Sequence, residues 1–221
     1  PIGSRGLGDV YKRQDLERFN QVLDRMQLHN PAPAVITVAG TNGKGTTCRM
    51  IEALLLQGGY RVGSTLSPHI WRFNERIRLH GRDADDEEIC AAFAAIDLAR
   101  GDIALTYFEF SALAALYCMA QAQVDVAILE IGLGGRLDAF NAIDPDVAVI
   151  TSIGLDHQVF LGDTREAIGV EKAGILRSGQ HVVLGQDMPE SVLQRCDALA
   201  LKPTCWGVDF SSSIDVDQGT W

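Results

Sequence analysis

The chain has 221 residues, 47% of them hydrophobic and 22% charged, which is enough for one large core or two modest domains. Lys and Arg number 19 against 29 Asp and Glu, a formal net charge of −10, opposite to the basic footprint of a duplex-binding protein. No apolar run approaches the ~18 to 20 residues that span a bilayer, and no secretory signal opens the sequence, so nucleic acid and membrane are both disfavoured as partners.

Residues 1–14 carry three glycines and no helical or strand period; they are expected to be a loose, disordered end or a foreign extension. Over 15–29 the apolar Leu16, Phe19, Val22, Leu23 and Met26 recur at helical spacing, and Pro31 and Pro33 forbid continuation. Residues 34–39 read as a buried strand and 46–57 as a helix ending at Gly58-Gly59. A strand is expected over 60–66, and helices over 85–99 and 109–122. The continuous apolar runs 124–129 and 147–153 fit strands covered on both faces. A helix over 164–172, a strand over 181–184 and a helix over 189–201 carry the alternation on, and the tail 211–221 has little periodicity. Alternating strands and helices of this kind predict an α/β, doubly wound, mostly parallel sheet. Cys48, Cys90, Cys118, Cys196 and Cys205 are odd in number and form no CxxC pair, as expected of reduced thiols in a cytosol.

Between the first strand and its helix lies Gly40-Thr41-Asn42-Gly43-Lys44-Gly45-Thr46. Glycines turn backbone N–H groups inward, the helix N-terminus adds partial positive charge and the lysine a formal one, as phosphate binding requires. The strict GxxxxGK[ST] pattern is not met, because Val38 holds the first glycine position and Gly45 separates Lys44 from Thr46. The competing reading is a plain glycine turn with a solvent-facing lysine.

Glu130 closes an apolar run and precedes a glycine-rich segment, where a magnesium-positioning acid would sit. Ser67 and His157 also follow strands. In a parallel sheet all three, with the glycine loop, lie at carboxyl strand ends, where ligands bind. Singly, Ser67 and His157 read equally well as turn residues, and Lys172 as a helix-terminal lysine favoured by the dipole. Tyr107-Phe108 could stack on an aromatic ligand or join the core. Arg72, Arg76, Arg78 and Arg82 could steer an anion or form a solvated face.

Six motifs together make a family visible: the loop at 40–46, Ser-Pro-His at 67–69, Thr-Tyr-Phe-Glu at 106–109, Leu-Glu-Ile-Gly-Leu-Gly-Gly-Arg-Leu-Asp at 129–138, Thr-Ser-Ile-Gly-Leu-Asp-His at 151–157 and Glu-Lys-Ala-Gly-Ile at 171–175. In order, spacing and wording the chain resembles the bacterial dihydrofolate synthase/folylpolyglutamate synthases of the Mur ligase superfamily, from about residue 15 to about 207. The resemblance implies a P-loop NTPase-like central domain over 15–221. It also implies an ADP-forming acid–amino-acid ligase, in which a pteroate or folate carboxylate becomes an acyl phosphate and the amine of L-glutamate displaces phosphate. By that resemblance Thr41, Asn42, Gly43, Lys44, Gly45 and Thr46 hold the ATP phosphates, and Ser67, Glu130 and His157 coordinate magnesium. Lys172, as a carbamate, would serve a second magnesium, and Lys44, His157 and Lys172 would be catalytic. Thr106, Tyr107, Phe108, Glu109, Leu137, Asp138 and Ala139 match the pterin-binding segments, with Asp138 the polar anchor.

The sequence also departs from its family. Phe140 stands where many relatives have threonine, and residues 1–14 replace an extension that carries a pterin-binding loop. The family runs to about twice this length, with a glutamate-binding domain, so the chain is expected to be a cytoplasmic, monomeric fragment with little or no ligase activity alone. A Mur-type ligase of cell-wall synthesis and a non-catalytic nucleotide-binding module are the rival readings.

Overall fold

The computed structural model describes residues 16–212. Its strands are β1 (Ala34–Ala39), β2 (Val62–Thr65), β3 (Ile77–Leu79), β4 (Arg82–Asp83), β5 (Val126–Glu130), β6 (Val147–Ile150), β7 (His181–Leu184) and β8 (Thr204–Cys205). The helices are α1 (Glu17–Met26), α2 (Lys44–Gln57), α3 (Asp86–Arg100), α4 (Tyr107–Gln121), α5 (Gln158–Leu161), α6 (Arg165–Lys172) and α7 (Glu190–Ala198).

One eight-stranded sheet runs in the order β4-β3-β2-β5-β1-β6-β7-β8. Every pairing from β2 to β8 is parallel, and only β3 and β4 are antiparallel. The chain leaves β1 toward β2 on one side, and β5 later hands over to β6 on the other. The ends of β1 and β5 therefore flank the crevice where open α/β sheets bind ligands. All five residues of β5 are buried, as a central parallel strand covered on both faces requires.

The larger core layer lies under α1, α3 and α4, with Leu113, Leu116 and Met119 of α4 fully buried beside Leu129 and Ile77. The smaller layer, Val38, Cys48, Val62, Val126 and Ile128, lies under α2. Helix starts follow local chemistry. Asp85 and Thr106 accept the N–H of Glu88 and Glu109 in capping boxes, and Thr164 caps α6.

Several boundaries differ from expectation. α2 begins at Lys44, two residues before the predicted start, so Lys44, Gly45 and Thr46 form its first turn. α4 begins at Tyr107 because Thr106 is its cap. α1 stops at Met26, where Gln27 takes a left-handed φ of 55°. The predicted strand over 60–66 shortens to 62–65, and that over 147–153 ends at Ile150. The hairpin β3–β4, α5 and β8 were not expected. Residues 1–14, predicted to be loose, and the tail beyond 212 lie outside the described residues. Among the described residues all five cysteines are free thiols, and no helix is long and apolar enough to cross a membrane.

Candidate active site

The glycine loop is pinned to the segment after β6. Gly40 has φ 149°, and a Cβ there would lie 1.9 Å from Thr151 Oγ1, so only glycine fits. Thr41 Oγ1 accepts the Gly154 N–H (3.0 Å), Ser152 Oγ accepts the Asn42 N–H (3.0 Å), and Thr151 Oγ1 donates to Asn42 O (2.7 Å). Gly43, at φ 84°, starts α2 with no side-chain cap. The first N–H groups of a 14-residue helix are thus left for an anion. Lys44 does not face solvent: its Nζ donates back to Gly40 O (2.9 Å) and Thr41 O (3.4 Å).

Lys172 shares that acceptor. It is 4% exposed, and its Nζ donates to Gly40 O at 3.0 Å across 132 positions of sequence. Lys172 does close α6, as the dipole reading expects, but its amine is buried on the glycine loop. Burial, reinforced by the nearby Lys44 charge, pulls its pKa down to about 8.

Glu130, 4% exposed at the end of β5, accepts the Ser67 N–H on Oε2 (2.7 Å), while Oε1 faces Gly45 in the first turn of α2. Burial raises its pKa against the opposing pull of the Ser67 N–H, Lys44 and Arg76. His157 has φ 50°, donates its N–H to Asp156 Oδ1 (2.8 Å), and holds a half-exposed imidazole 3.6 Å from Asp156 Oδ2. Ser67 and His157 meet at one cleft. Among the described residues, no three His, Cys, Asp or Glu side chains gather as a ready metal cage.

That cleft, of about 230 Å³, is walled by Leu16, Ser67, Pro68, Arg76, Thr106, Phe108, Glu109, Gly132, Leu133, Leu137, Asp138, Ala139 and His157. Of the seven expected pterin-segment residues only Tyr107 stands off its wall, 61% exposed. The Arg76 guanidinium lies 5.4 Å from its ring centroid, and Phe73 meets it edge-on. Thr106 and Glu109 also hold the backbone. Glu109 Oε2 accepts the Thr106 N–H (2.6 Å), and Arg18 Nε donates to both Glu109 oxygens (2.9 and 3.1 Å). Asp138 is 2% exposed and accepts the N–H groups of Gly132, Leu133 and Phe140 at 2.9 to 3.1 Å. Burial outweighs those donors and pushes its pKa up to about 6.

The arginine cluster is largely committed to acids. Arg72 pairs with Asp86, Arg78 with Glu52 and Asp83, and Arg82 with Glu88. Only Arg76, bonded to His69 Nδ1 (2.7 Å), reaches the cleft. Sequence reasoning missed Thr151 and Ser152 as the support of the loop, although their place right after a buried run was a signal. Leu16, Gly132 and Leu133 gave none beyond being apolar or glycine.

The Mur ligase middle domain family matches residues 38–198. The chain belongs to this family. It is 54% identical over 178 residues to the dihydrofolate synthase/folylpolyglutamate synthase of Escherichia coli, covering 80% of this chain and 42% of that protein. The solved structure of E. coli FolC in complex with DHPP and ADP superposes with a TM-score of 0.88 at 46% identity, covering 94% of this chain and 52% of that one. A bifunctional folylpolyglutamate synthase/dihydrofolate synthase with Mn, AMPPNP and L-glutamate bound gives 0.87 at 50% identity, covering 94% and 51%. This Mur ligase middle domain thus spans about half the length of the relatives it matches.

Proposed function

We propose that the chain carries the ATP-binding part of an ADP-forming ligase that joins L-glutamate to dihydropteroate, and to folates, through an acyl phosphate. Residues 15–221 would form one Mur-ligase-like domain of a cytoplasmic, monomeric enzyme, and a glutamate-binding domain would complete the site. One observation carries the reading: the uncapped N-terminus of α2 and the 230 Å³ cleft open at the same sheet edge, joined by Glu130 and Ser67. The names of the relatives, and the ADP, DHPP, AMPPNP and Mn in their structures, support it.

In this reading Thr41, Asn42, Gly43, Lys44, Gly45 and Thr46 hold the phosphates, with Lys44 turning from Gly40 O toward them. A divalent cation fits Glu130, whose buried carboxyl is held above its ordinary pKa and whose Oε1 faces the loop helix. Ser67 and His157 would complete one magnesium site, and Lys172 as a carbamate would hold a second ion. When bound, magnesium supplies the positive charge that lets two anions approach. A lysine with pKa about 8 is neutral far more often at pH 7 than one at 10.5, and only the neutral amine adds carbon dioxide, losing one proton to give the carbamate. Lys44, His157 and Lys172 are the catalytic residues of this reading. Thr106, Phe108, Glu109, Leu137, Asp138 and Ala139 hold the pterin, with Asp138 accepting from its ring N–H groups and Tyr107 at the rim.

The test is ADP release by the full-length protein with ATP, magnesium and L-glutamate. Release that depends on dihydropteroate is expected. Release with a muramoyl peptide and none with dihydropteroate would leave the acyl-phosphate chemistry standing and overturn the pterin assignment.

A further inference from the structure

We propose that Phe140 is a specificity-determining residue that fixes the thickness of the ring the cleft admits, favouring a flat dihydropterin over a puckered, N5-substituted tetrahydropterin; this rests on the folate-ligase reading above. Among the described residues Phe108 is the one phenyl ring on the cleft wall, and two neighbours crowd it. Toward the glycine-rich segment it crowds Gly132, where a Cβ would lie 2.6 Å from Phe108 Cζ. Phe140, 4% exposed, also meets it edge-on, with centroids 5.8 Å apart and planes at 86°. The free space that both rings line, between Ser111, Ala112 and Ala115 of α4 and the Ser67, Arg76 and Glu130 side, is only about 10 Å³. That is room for no more than about one water.

Phe140 therefore occupies the volume into which Phe108 would have to retreat. Its backbone is fixed, because its N–H is tied to Asp138 Oδ1 (3.0 Å) within a tight 3₁₀ turn, Ala139–Ala142, and its ring is buried. Phe108, packed against Gly132 and Phe140, is thus a stiff part of the cleft wall. A planar bicycle can slide along it, whereas a reduced ring with a substituent out of plane needs Phe108 to tilt away. Shortening Phe140 opens that space, and lengthening Gly132 closes it. The two positions act on the same ring.

The experiment measures equilibrium binding of dihydropteroate and of 5-formyltetrahydrofolate to the full-length protein and to Phe140→Ala, with Phe140→Leu as the milder variant. The preference for dihydropteroate is expected to fall at least about tenfold in Phe140→Ala, since a single methylene in an apolar pocket is already worth that much, and less in Phe140→Leu. Gly132→Ala alone should weaken dihydropteroate binding, and Phe140→Ala in the same molecule should restore it. Equal losses for both ligands, or no restoration in the double variant, would overturn the role of Phe140. If the unaltered protein binds neither ligand, the folate reading falls and takes this one with it.

Discussion

Lys172 shows how one residue can be set against the fold that holds it. Its amine is 4% exposed and its one hydrogen bond goes to Gly40 O, an acceptor it shares with Lys44. Folding lowers its pKa from 10.5 to about 8, so the native state binds fewer protons than the unfolded chain between those values. Stability consequently rises with pH across that window, and below pH 8 the full penalty of a buried cation is present. Lys172→Met removes the cation and keeps the bulk. It is expected to stabilise the protein at pH 7 by about 1–3 kcal/mol and to flatten the rise between pH 8 and 10, while abolishing ligase turnover. Urea midpoints in carbon-dioxide-free buffer at pH 7 and 9.5 check it. A variant less stable at pH 7 would mean the lysine is compensated in a way burial and Lys44 do not suggest. Asp138 carries the opposite sign. Its pKa rises from 3.8 to about 6, so stability falls as pH climbs from 4 to 6. Asp138→Asn loses one of the two oxygens that accept three backbone N–H groups. It should cost about 1–3 kcal/mol by leaving a buried donor unpaired, read as a lower thermal midpoint near pH 4, where the native carboxyl is neutral and relief of its buried charge does not offset the loss.

At the scale of elements, the cleft wall depends on a contact that joins distant parts of the chain. Arg18 at the start of α1 pairs with Glu109 in the first turn of α4, and Glu109 closes the capping box with Thr106. Arg18→Ala leaves a carboxylate in a residue only 6% exposed without its cation. Because the Arg18 side chain is itself 21% exposed, the expected cost is about 1–3 kcal/mol rather than the 3–5 of a fully buried pair. Glu109→Gln, whose amide oxygen still accepts the Thr106 N–H, should lose less. Paired denaturation curves decide it, and equal losses would mean that the shared loss of the ion pair is the whole cost and that the carboxylate left behind adds nothing. This wall also marks the limit of what the sequence discloses. The runs that became β1, β5 and β6 were legible because a strand covered on both faces must be continuously apolar. The β3–β4 hairpin was not, since the alternation of Ile77-Arg78-Leu79 lasts only three residues and β4 is the two charged residues Arg82 and Asp83, too short to stand out as strands. Helix starts were misplaced by two residues at α2 and α4, where the deciding facts were the left-handed φ of Gly43 and the Thr106–Glu109 exchange. The site residues were named by their motifs. That Thr106 and Glu109 are also caps, and that Lys172 is buried on a carbonyl 132 residues away, are tertiary facts that spacing does not encode.

For the whole molecule, the question is how much of the reaction this half-length can support. Every group assigned to the phosphates sits within one loop and one helix terminus, both braced by the segment after β6 inside the same sheet. On the reading proposed above, nucleotide binding would be local to the 221 residues, and capture of glutamate would fall outside them, in the additional length that the curated relatives have. The 221-residue polypeptide should accordingly bind ATP and magnesium without turning them over. A ligand at about 100 times its dissociation constant adds roughly 2.7 kcal/mol to a native state, equivalent to a rise in melting temperature of about 5–10 °C for a domain of this size. That rise should appear with ATP and magnesium, shrink in Lys44→Ala, which removes the loop's cation, and shrink again when Gly40→Ala drives a Cβ into Thr151 Oγ1. Glutamate-dependent ADP release by the same polypeptide should stay at background while the full-length protein releases it. A melting curve indifferent to ATP would show that the loop needs the rest of the protein to take shape, and ligation by the 221 residues alone would show that glutamate is captured within this sheet.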